Sequence, residues 1–153
     1  MEIQVRPWDV EDAMALHQLS MHPYYLKKRP WKLLYPDSFL NAVSTIHFYQ
    51  NADESRYLYR TVTVDERVAG YLSCENRTGS DWELSYWLGA DLWNQGIMKE
   101  AIHQLCEEVF SLGYIMMLYA CVKKENIASQ HVLKHNGFQE EAHDSLYIYK
   151  RYR

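Results

Sequence analysis

The sequence predicts a mixed α/β fold, an α+β arrangement in which one sheet combines antiparallel and parallel strand pairs. Segments with period-two alternation occur in both halves of the chain, and segments with helical spacing separate several of them. Residues 96–112 have helical spacing and lie between two strand-like segments, so those strands are expected to be parallel neighbours with a right-handed crossover. The length of 153 residues suits a single domain over residues 1–153.

The first third of the chain predicts one strand and two helices. Residues 3–8 form a strand pattern, after which Asp9 and Asp12 have the spacing of a capping box for a helix that continues to about residue 22. Residues 23–31 are aromatic and basic and are bounded by prolines, which is typical of a surface loop. Apolar residues at helical spacing after Pro36 predict the second helix.

The middle of the chain predicts three strands. Residues 57–64 and 68–74 alternate and are joined by the turn residues Asp65 and Glu66, which indicates a hairpin. A polar loop over residues 76–81 then leads to a third strand, 82–88.

The last third predicts a helix, a strand, a helix and two strands. Gly113 ends the helix 96–112, and the continuous apolar run 116–122 is typical of a strand buried on both faces. The remaining elements are a short helix over 126–136, closed by Gly137, and strands over 138–142 and 146–152.

Composition excludes several classes of protein. A formal net charge of −4 disfavours sequence-independent binding to nucleic acid, which needs many Lys and Arg side chains against phosphates. The three cysteines form no Cys-x-x-Cys pair and are expected to be small buried side chains in a reducing compartment. The seven histidines have no metal-ligand spacing, so no metal is expected. With no apolar run of membrane-spanning length and no signal-peptide pattern, a cytoplasmic protein that does not bind membranes is expected.

Two segments have residue types that suit chemistry. The first is the strand 82–88, a short loop, and a helix start that contains Gly96. Free N–H groups and the helix dipole bind anions at such a start, and a glycine lets a phosphate approach the backbone. The second begins at Asn126, a good N-cap with Ser129 three residues on, and ends in a Gly137–Phe138 helix stop. Taken singly, each feature is also common in ordinary helix termini.

Together the two segments resemble the GNAT superfamily of acetyl-CoA-dependent N-acyltransferases, most of all the branch of ribosomal-protein-alanine N-acetyltransferases and its small-molecule relatives. That branch has an acidic-apolar-Gly-Tyr-Trp strand, then Trp-Gly-Lys-Gly-aromatic-Ala-x-Glu-Ala, and downstream Asn-x-x-Ser followed by Leu-x-x-x-Gly-Phe. The matching residues are Glu83, Tyr86, Trp87, Leu88, Trp93, Gly96, Glu100, Ala101, Asn126, Ser129, Leu133, Gly137 and Phe138.

The resemblance implies a GNAT fold and acetyl transfer from the cosubstrate acetyl-CoA to a primary amine, by direct attack on the thioester. The implied pyrophosphate site is the backbone of Gln95, Gly96, Ile97, Met98 and Lys99. The implied donors to the thioester carbonyl are the N–H groups of Trp87, Leu88 and Gly89.

The resemblance also implies roles for individual side chains. Asn126 would bind the pantetheine arm, and Ser129 would be the donor nearest the departing sulfur. Glu83 is the candidate base, acting directly or through water. The residues expected to contact the acceptor are Tyr24, Tyr25, Trp31 and Tyr86.

Departures from the pattern leave alternatives open. Asn94 replaces a glycine of the branch, Met98 replaces a small residue, and Leu133 occupies the position of the tyrosine that many relatives use as general acid. Asn94 and Met98 support an alternative, a CoA-binding or sensing module without transferase activity. The acceptor is either a protein N-terminal amine or a small-molecule amine such as a polyamine, an aminoglycoside or an amino acid. The aromatic segment 147–152 is compatible with a homodimer.

Overall fold

The structure, a computed structural model, describes residues 1–26 and 38–153 and contains one mixed sheet of seven strands. The strands are β1 Ile3–Arg6, β2 Tyr57–Val64, β3 Arg67–Asn76, β4 Asp81–Leu88, β5 Met117–Lys123, β6 Gln139–Ala142 and β7 Leu146–Tyr152. The described helices are α1 Ala13–Ser20, α2 Pro23–Leu26, α3 Phe39–Gln50, α4 Ile97–Ser111 and α5 Ile127–His135. The strand order is β1-β2-β3-β4-β5-β7-β6, in which β4 and β5 pair parallel and the other pairs are antiparallel. The predicted mixed sheet and the parallel β4–β5 pair are confirmed.

The start of the chain follows the predicted capping pattern with small shifts. β1 ends at Arg6 because Pro7 has no N–H group for the sheet. Asp9 and Asp12 form the predicted capping box, but the first turn is a 3-10 turn, and α1 begins only after it. Two hydrogen bonds of 2.8 and 2.9 Å join the Arg6 guanidinium to the Asp12 carboxylate and tie β1 to this cap.

The predicted surface loop over residues 23–31 is partly wrong. Pro23–Leu26 forms the one-turn helix α2, since a proline is well tolerated in a first helical turn. The rest of that segment, including Trp31, lies outside the described residues. The helix predicted after Pro36 is α3, and its described N-cap is Ser38, whose hydroxyl accepts the N–H of Asn41 at 3.1 Å.

The predicted β2–β3 hairpin is confirmed at its turn. Asp65 and Glu66 both have positive φ angles, 48° and 68°. Two such residues form the type I′ turn whose twist matches that of the flanking strands.

Helices cover the sheet unequally on its two faces. α4 and α5 bury one face in the main core, which includes the fully buried Trp82. α1, α2 and α3 cover part of the other face, where Tyr71 and Trp87 pack in a second core. Ser85 of β4 and Cys121 of β5 are exposed on the uncovered part of that second face.

The structure corrects the prediction that the β5 strand is buried on both faces. Leu118, Ala120 and Val122 face the α4–α5 core and are buried, whereas Tyr119 is half-buried and Cys121 is exposed. No described helix covers the second face at this point. The prediction of three buried cysteines is therefore wrong for Cys121, and it holds for Cys74 and Cys106.

The predicted end of α5 is confirmed as a Schellman motif. The Gly137 N–H donates to the Lys134 carbonyl at 3.1 Å, and the Phe138 N–H donates to the Leu133 carbonyl at 3.1 Å. Phe138 and Leu133 are both buried and supply the hydrophobic contact of the motif. Among the helices of the described residues, none has both the length and the apolar composition needed to cross a bilayer.

Candidate active site

The two parallel strands at the centre of the sheet diverge. β4 and β5 pair only through Asp81–Met117, Trp82–Leu118 and Glu83–Tyr119. Beyond this point β4 stays paired with β3 as far as Leu88, while β5 stays paired with β7. A wedge-shaped split therefore opens between residues 84–88 and 120–123, and the backbone groups on its two edges have no ladder partner across it.

The loop after β4 presents a run of free backbone donors. In the described part of the chain, no protein acceptor takes the N–H groups of residues 95–99, and the first helical bond of α4 runs from Glu100 N–H to the Gly96 carbonyl at 3.2 Å. Gly96 caps the helix with a left-handed φ of 76°. These five free N–H groups and the positive end of the helix dipole make this terminus an anion site.

The two departures in this loop do not disturb its geometry. Asn94 adopts a left-handed backbone with φ of 62°, a conformation that asparagine tolerates better than most residues. The Met98 side chain is 7% exposed and packs into the main core, so it points away from the loop surface. Asn94 and Met98, which supported the alternative of a CoA-binding module without transferase activity, therefore leave the anion site intact.

Side chains brace the loop on the side of α2. The Leu88 carbonyl accepts a hydrogen bond from Trp93 Nε1 at 2.9 Å and a short one from the Tyr25 hydroxyl. The Tyr24 ring packs edge-on against Trp93, with centroids 4.7 Å apart. The end of β4 is thus fixed in place by three aromatic side chains.

The N–H groups at the end of β4 point in alternating directions. Gly89 N–H donates to the Ala69 carbonyl at 2.8 Å, which extends the β3–β4 hydrogen-bond pattern one residue beyond the Gly70–Leu88 pair. Because alternate residues of an antiparallel pair face the partner strand, Trp87 N–H also points to β3, and Leu88 N–H points toward the split. Of the three N–H groups predicted to donate to the thioester carbonyl, those of Trp87 and Gly89 face β3 and that of Leu88 faces the split. Their role as donors to the thioester stays a prediction.

The start of α5 lies on the other side of the split. The Asn126 side-chain oxygen accepts the N–H of Ser129 at 3.2 Å, which confirms Asn126 as the N-cap. Among the described residues its amide NH₂ has no hydrogen-bond acceptor, so it can donate to a ligand. Leu133, one turn beyond Ser129, is fully buried and offers no donor.

Tyr86 faces the same region from β4. Its side chain lies on the α4–α5 face, and its hydroxyl oxygen is buried without a hydrogen-bond partner in the described residues. Burial raises the pKa of Tyr86 to about 12, and the nearby Ser129 hydroxyl acts in the opposite direction. The structure therefore brings Tyr86 and Ser129 together.

Glu83 lies on the opposite face of β4, beside β5. Its carboxylate accepts a hydrogen bond from Arg77 at 3.2 Å, and the same guanidinium reaches Glu75 at 3.1 Å. Sequence reasoning missed Arg77, which lies in the β3–β4 connection with no motif around it. The Glu83 side chain is 25% exposed, and its role as a base stays a prediction.

The residues predicted to bind the acceptor do not form one described surface. Tyr24 is half-buried and Tyr25 is 3% exposed, so Tyr25 serves as a support for Leu88 in this structure. Tyr86 lies on the far side of the sheet from both, since it faces α5. Trp31 is outside the described residues, and the acceptor contacts of all four remain predictions.

The family model described as "Acetyltransferase (GNAT) domain" matches residues 2–139. The chain therefore belongs to the GNAT acetyltransferase family and is an N-acetyltransferase. The fold and the element order that the resemblance implied are confirmed.

Solved structures of known acetyltransferases share this fold. The microcin C7 self-immunity acetyltransferase MccE, solved with acetyl-CoA and AMP, is 21% identical with a TM-score of 0.84, over 99% of this chain and 93% of that one. RimJ of Mycobacterium smegmatis, solved with CoA-disulfide, is 20% identical with a TM-score of 0.83, over 98% and 81%. An acetyltransferase of Salmonella typhimurium that modifies the N-terminal serine of ribosomal protein L7/L12 is 20% identical with a TM-score of 0.76, over 99% and 95%. A comparison with curated proteins gives no match.

Proposed function

We propose that the protein transfers the acetyl group of acetyl-CoA to a primary amine, with an α-amine as the preferred acceptor. The observation that carries the proposal is the run of free N–H groups at residues 95–99, next to the split between β4 and β5. An extended ligand that ends in a pyrophosphate suits this combination of a slot and an anion site. Structural neighbours solved with acetyl-CoA or CoA support it.

Each part of the split has a role in binding the cosubstrate. The backbone of residues 95–99 holds the pyrophosphate, and the free amide of Asn126 donates to the pantetheine arm. Leu88 N–H donates to the thioester carbonyl, on which negative charge develops when the amine attacks. Bound there, acetyl-CoA supplies an activated acyl group with a good leaving thiolate, because a free thiol has a pKa of about 8.5.

Removing a proton from the amine is the more demanding part of the reaction. An α-amine has a pKa of about 7.7–8.0 and is partly neutral at pH 7, whereas a lysine-type amine with a pKa of about 10.4 needs roughly 4–5 kcal/mol. Glu83 is the proposed proton acceptor, directly or through water. The Arg77 guanidinium already donates to the Glu83 carboxylate at 3.2 Å, so an incoming amine competes with Arg77 for this carboxylate. An acceptor that needs little assistance fits this arrangement better, which favours α-amines.

The acceptor class is tested by measuring thiol release from acetyl-CoA. The panel contains peptides with free α-amines, the same peptides with a blocked N-terminus and one lysine, a polyamine, an aminoglycoside and free amino acids. We expect turnover with the unblocked peptides or with small α-amines, and a much lower rate with the lysine peptide. Faster turnover of the lysine peptide or the polyamine would contradict the preference for α-amines. If none of the amines in the panel caused thiol release, the alternative of a CoA-binding module without transferase activity would remain.

A further inference from the structure

The hydroxyl of Tyr86 is a buried polar group that the fold does not use. Its oxygen has essentially no exposed surface and no hydrogen-bond partner in the described residues. Buried hydroxyls almost always have a partner, so one without a partner indicates a function or a group that arrives with a ligand. Tyr149, in the same core, shows the ordinary situation, because its hydroxyl donates to Glu140.

The position of this hydroxyl relates it to the reaction. Tyr86 lies in the part of β4 that has separated from β5, so its side chain is next to the split. Ser129, in the first turn of α5, is near enough to act on the Tyr86 hydroxyl, whose pKa it lowers against the effect of burial. Leu133 on the next turn is buried and apolar and offers no hydrogen-bonding group.

We propose that Tyr86 is a positioning residue for Ser129, an inference that rests on the proposed function. When acetyl-CoA is bound, the Tyr86 hydroxyl donates to Ser129 Oγ, a hydrogen bond that the free protein does not make. This leaves the Ser129 O–H to donate to the sulfur as it departs. A hydroxyl that accepts one hydrogen bond donates a stronger one, and a hydrogen bond to a charged acceptor is stronger again.

The step balances without an added reagent. The amine nitrogen forms the C–N bond and gives up one proton to Glu83, directly or through water, and Glu83 later passes that proton to bulk water. The C–S bond breaks with its electron pair going to sulfur. The Ser129 hydrogen bond stabilises the thiolate without giving up its proton, and the thiolate takes a proton from water after release. The raised pKa of Tyr86 keeps its hydroxyl protonated, and so able to donate, at neutral pH.

The experiment is a double-mutant cycle with Tyr86→Phe, Ser129→Ala and the double variant. Steady-state kinetics with saturating amine give kcat and the KM for acetyl-CoA, and thermal unfolding gives Tm. Tyr86→Phe is expected to lower kcat roughly tenfold, as Ser129→Ala does, because each removes one hydrogen bond from the transition state. The KM for acetyl-CoA should not change. Because the hydroxyl has no partner in the folded protein, its removal should leave Tm unchanged or raise it.

The double variant tests whether Tyr86 acts through Ser129. If it does, the double variant is no slower than Ser129→Ala alone. Tyr149→Phe is the matched control, since it removes a partnered hydroxyl from the same core and should lower Tm while kcat stays the same. The inference would be overturned if the losses in kcat multiplied in the double variant. It would also be overturned if Tyr86→Phe left kcat unchanged or lowered Tm. A parent protein without turnover would instead refute the proposed function itself, and the inference with it.

Discussion

Replacing Gly96 with Asp tests the proposed anion site at residues 95–99, because the substitution should affect protein stability and anion binding to different extents. Gly96 has a φ of 76°, and a Cβ atom added there meets no described atom within 4 Å. The variant therefore has the backbone cost of a left-handed residue, roughly 1–2 kcal/mol, without a clash. A carboxylate at the start of α4 interacts favourably with the helix dipole and stabilises the folded protein by about 0.3–1 kcal/mol. The free energy of unfolding should fall only slightly.

Binding of CoA should respond much more strongly than stability. A carboxylate about 4 Å from a phosphate charge, at an effective dielectric constant of about 20, is repelled by roughly 4 kcal/mol. Each 1.4 kcal/mol corresponds to about tenfold in affinity, so Kd should rise roughly 10³-fold. The same substitution thus has a small effect on folding and a large one on the ligand.

Two assays and two controls check this result. Isothermal titration with CoA gives Kd, and thermal unfolding with and without CoA gives the ligand stabilisation, which for the parent is about 2.7 kcal/mol at 100 times Kd. Gly79→Asp is the matched control, because Gly79 has a φ of 88° and an equally open Cβ position, but lies before β4, at the far end of that strand. Gly96→Ala isolates the backbone cost from the charge. If Gly96→Asp binds CoA as tightly as Gly79→Asp, the α4 terminus is not the phosphate site.

Three further changes test other parts of the proposal. Asn126→Ala should cost about 1 kcal/mol of stability for the lost cap and weaken CoA binding as well, so that a variant with reduced Tm and parental Kd would leave Asn126 as a cap alone. Glu83→Gln should lower turnover at pH 7 roughly 10²-fold, with a smaller loss at high pH and with α-amines; coincident pH–rate profiles for parent and variant would exclude Glu83 as the base. Gly70→Ala should destabilise the protein by more than about 2 kcal/mol in urea unfolding, because its Cβ would lie 2.3 Å from the Trp87 carbonyl oxygen; an unchanged midpoint would contradict this tight β3–β4 contact.

Local patterns predicted most of the fold and the helix start with free N–H groups at Gly96. Capping residues such as Asp9 and Asn126 accept hydrogen bonds from N–H groups two or three positions away, so their effect can be predicted from the sequence. The same holds for the type I′ turn at Asp65 and the helix stop at Gly137, where the backbone angle or the hydrogen bonds are set within a few residues. The predicted loop at Gly96 belongs to this group, since an anion site at a helix start needs only that helix.

Properties that depend on a second segment were decided by the tertiary structure. An apolar run indicates a strand but not which faces are covered, and Cys121 is exposed because the second core packs no described helix over its face of β5. The direction of Leu88 N–H follows from the β3–β4 register, and the ion pair of Glu83 follows from the course of the loop that contains Arg77. The contact of Tyr86 with Ser129 joins residues 43 positions apart in sequence across the point where β4 and β5 diverge. By itself the sequence determined most of the residues that cap or end the elements, because those interactions are local. Only the packing of the sheet decided which side chains meet in the split, because those contacts exist only after distant segments have come together.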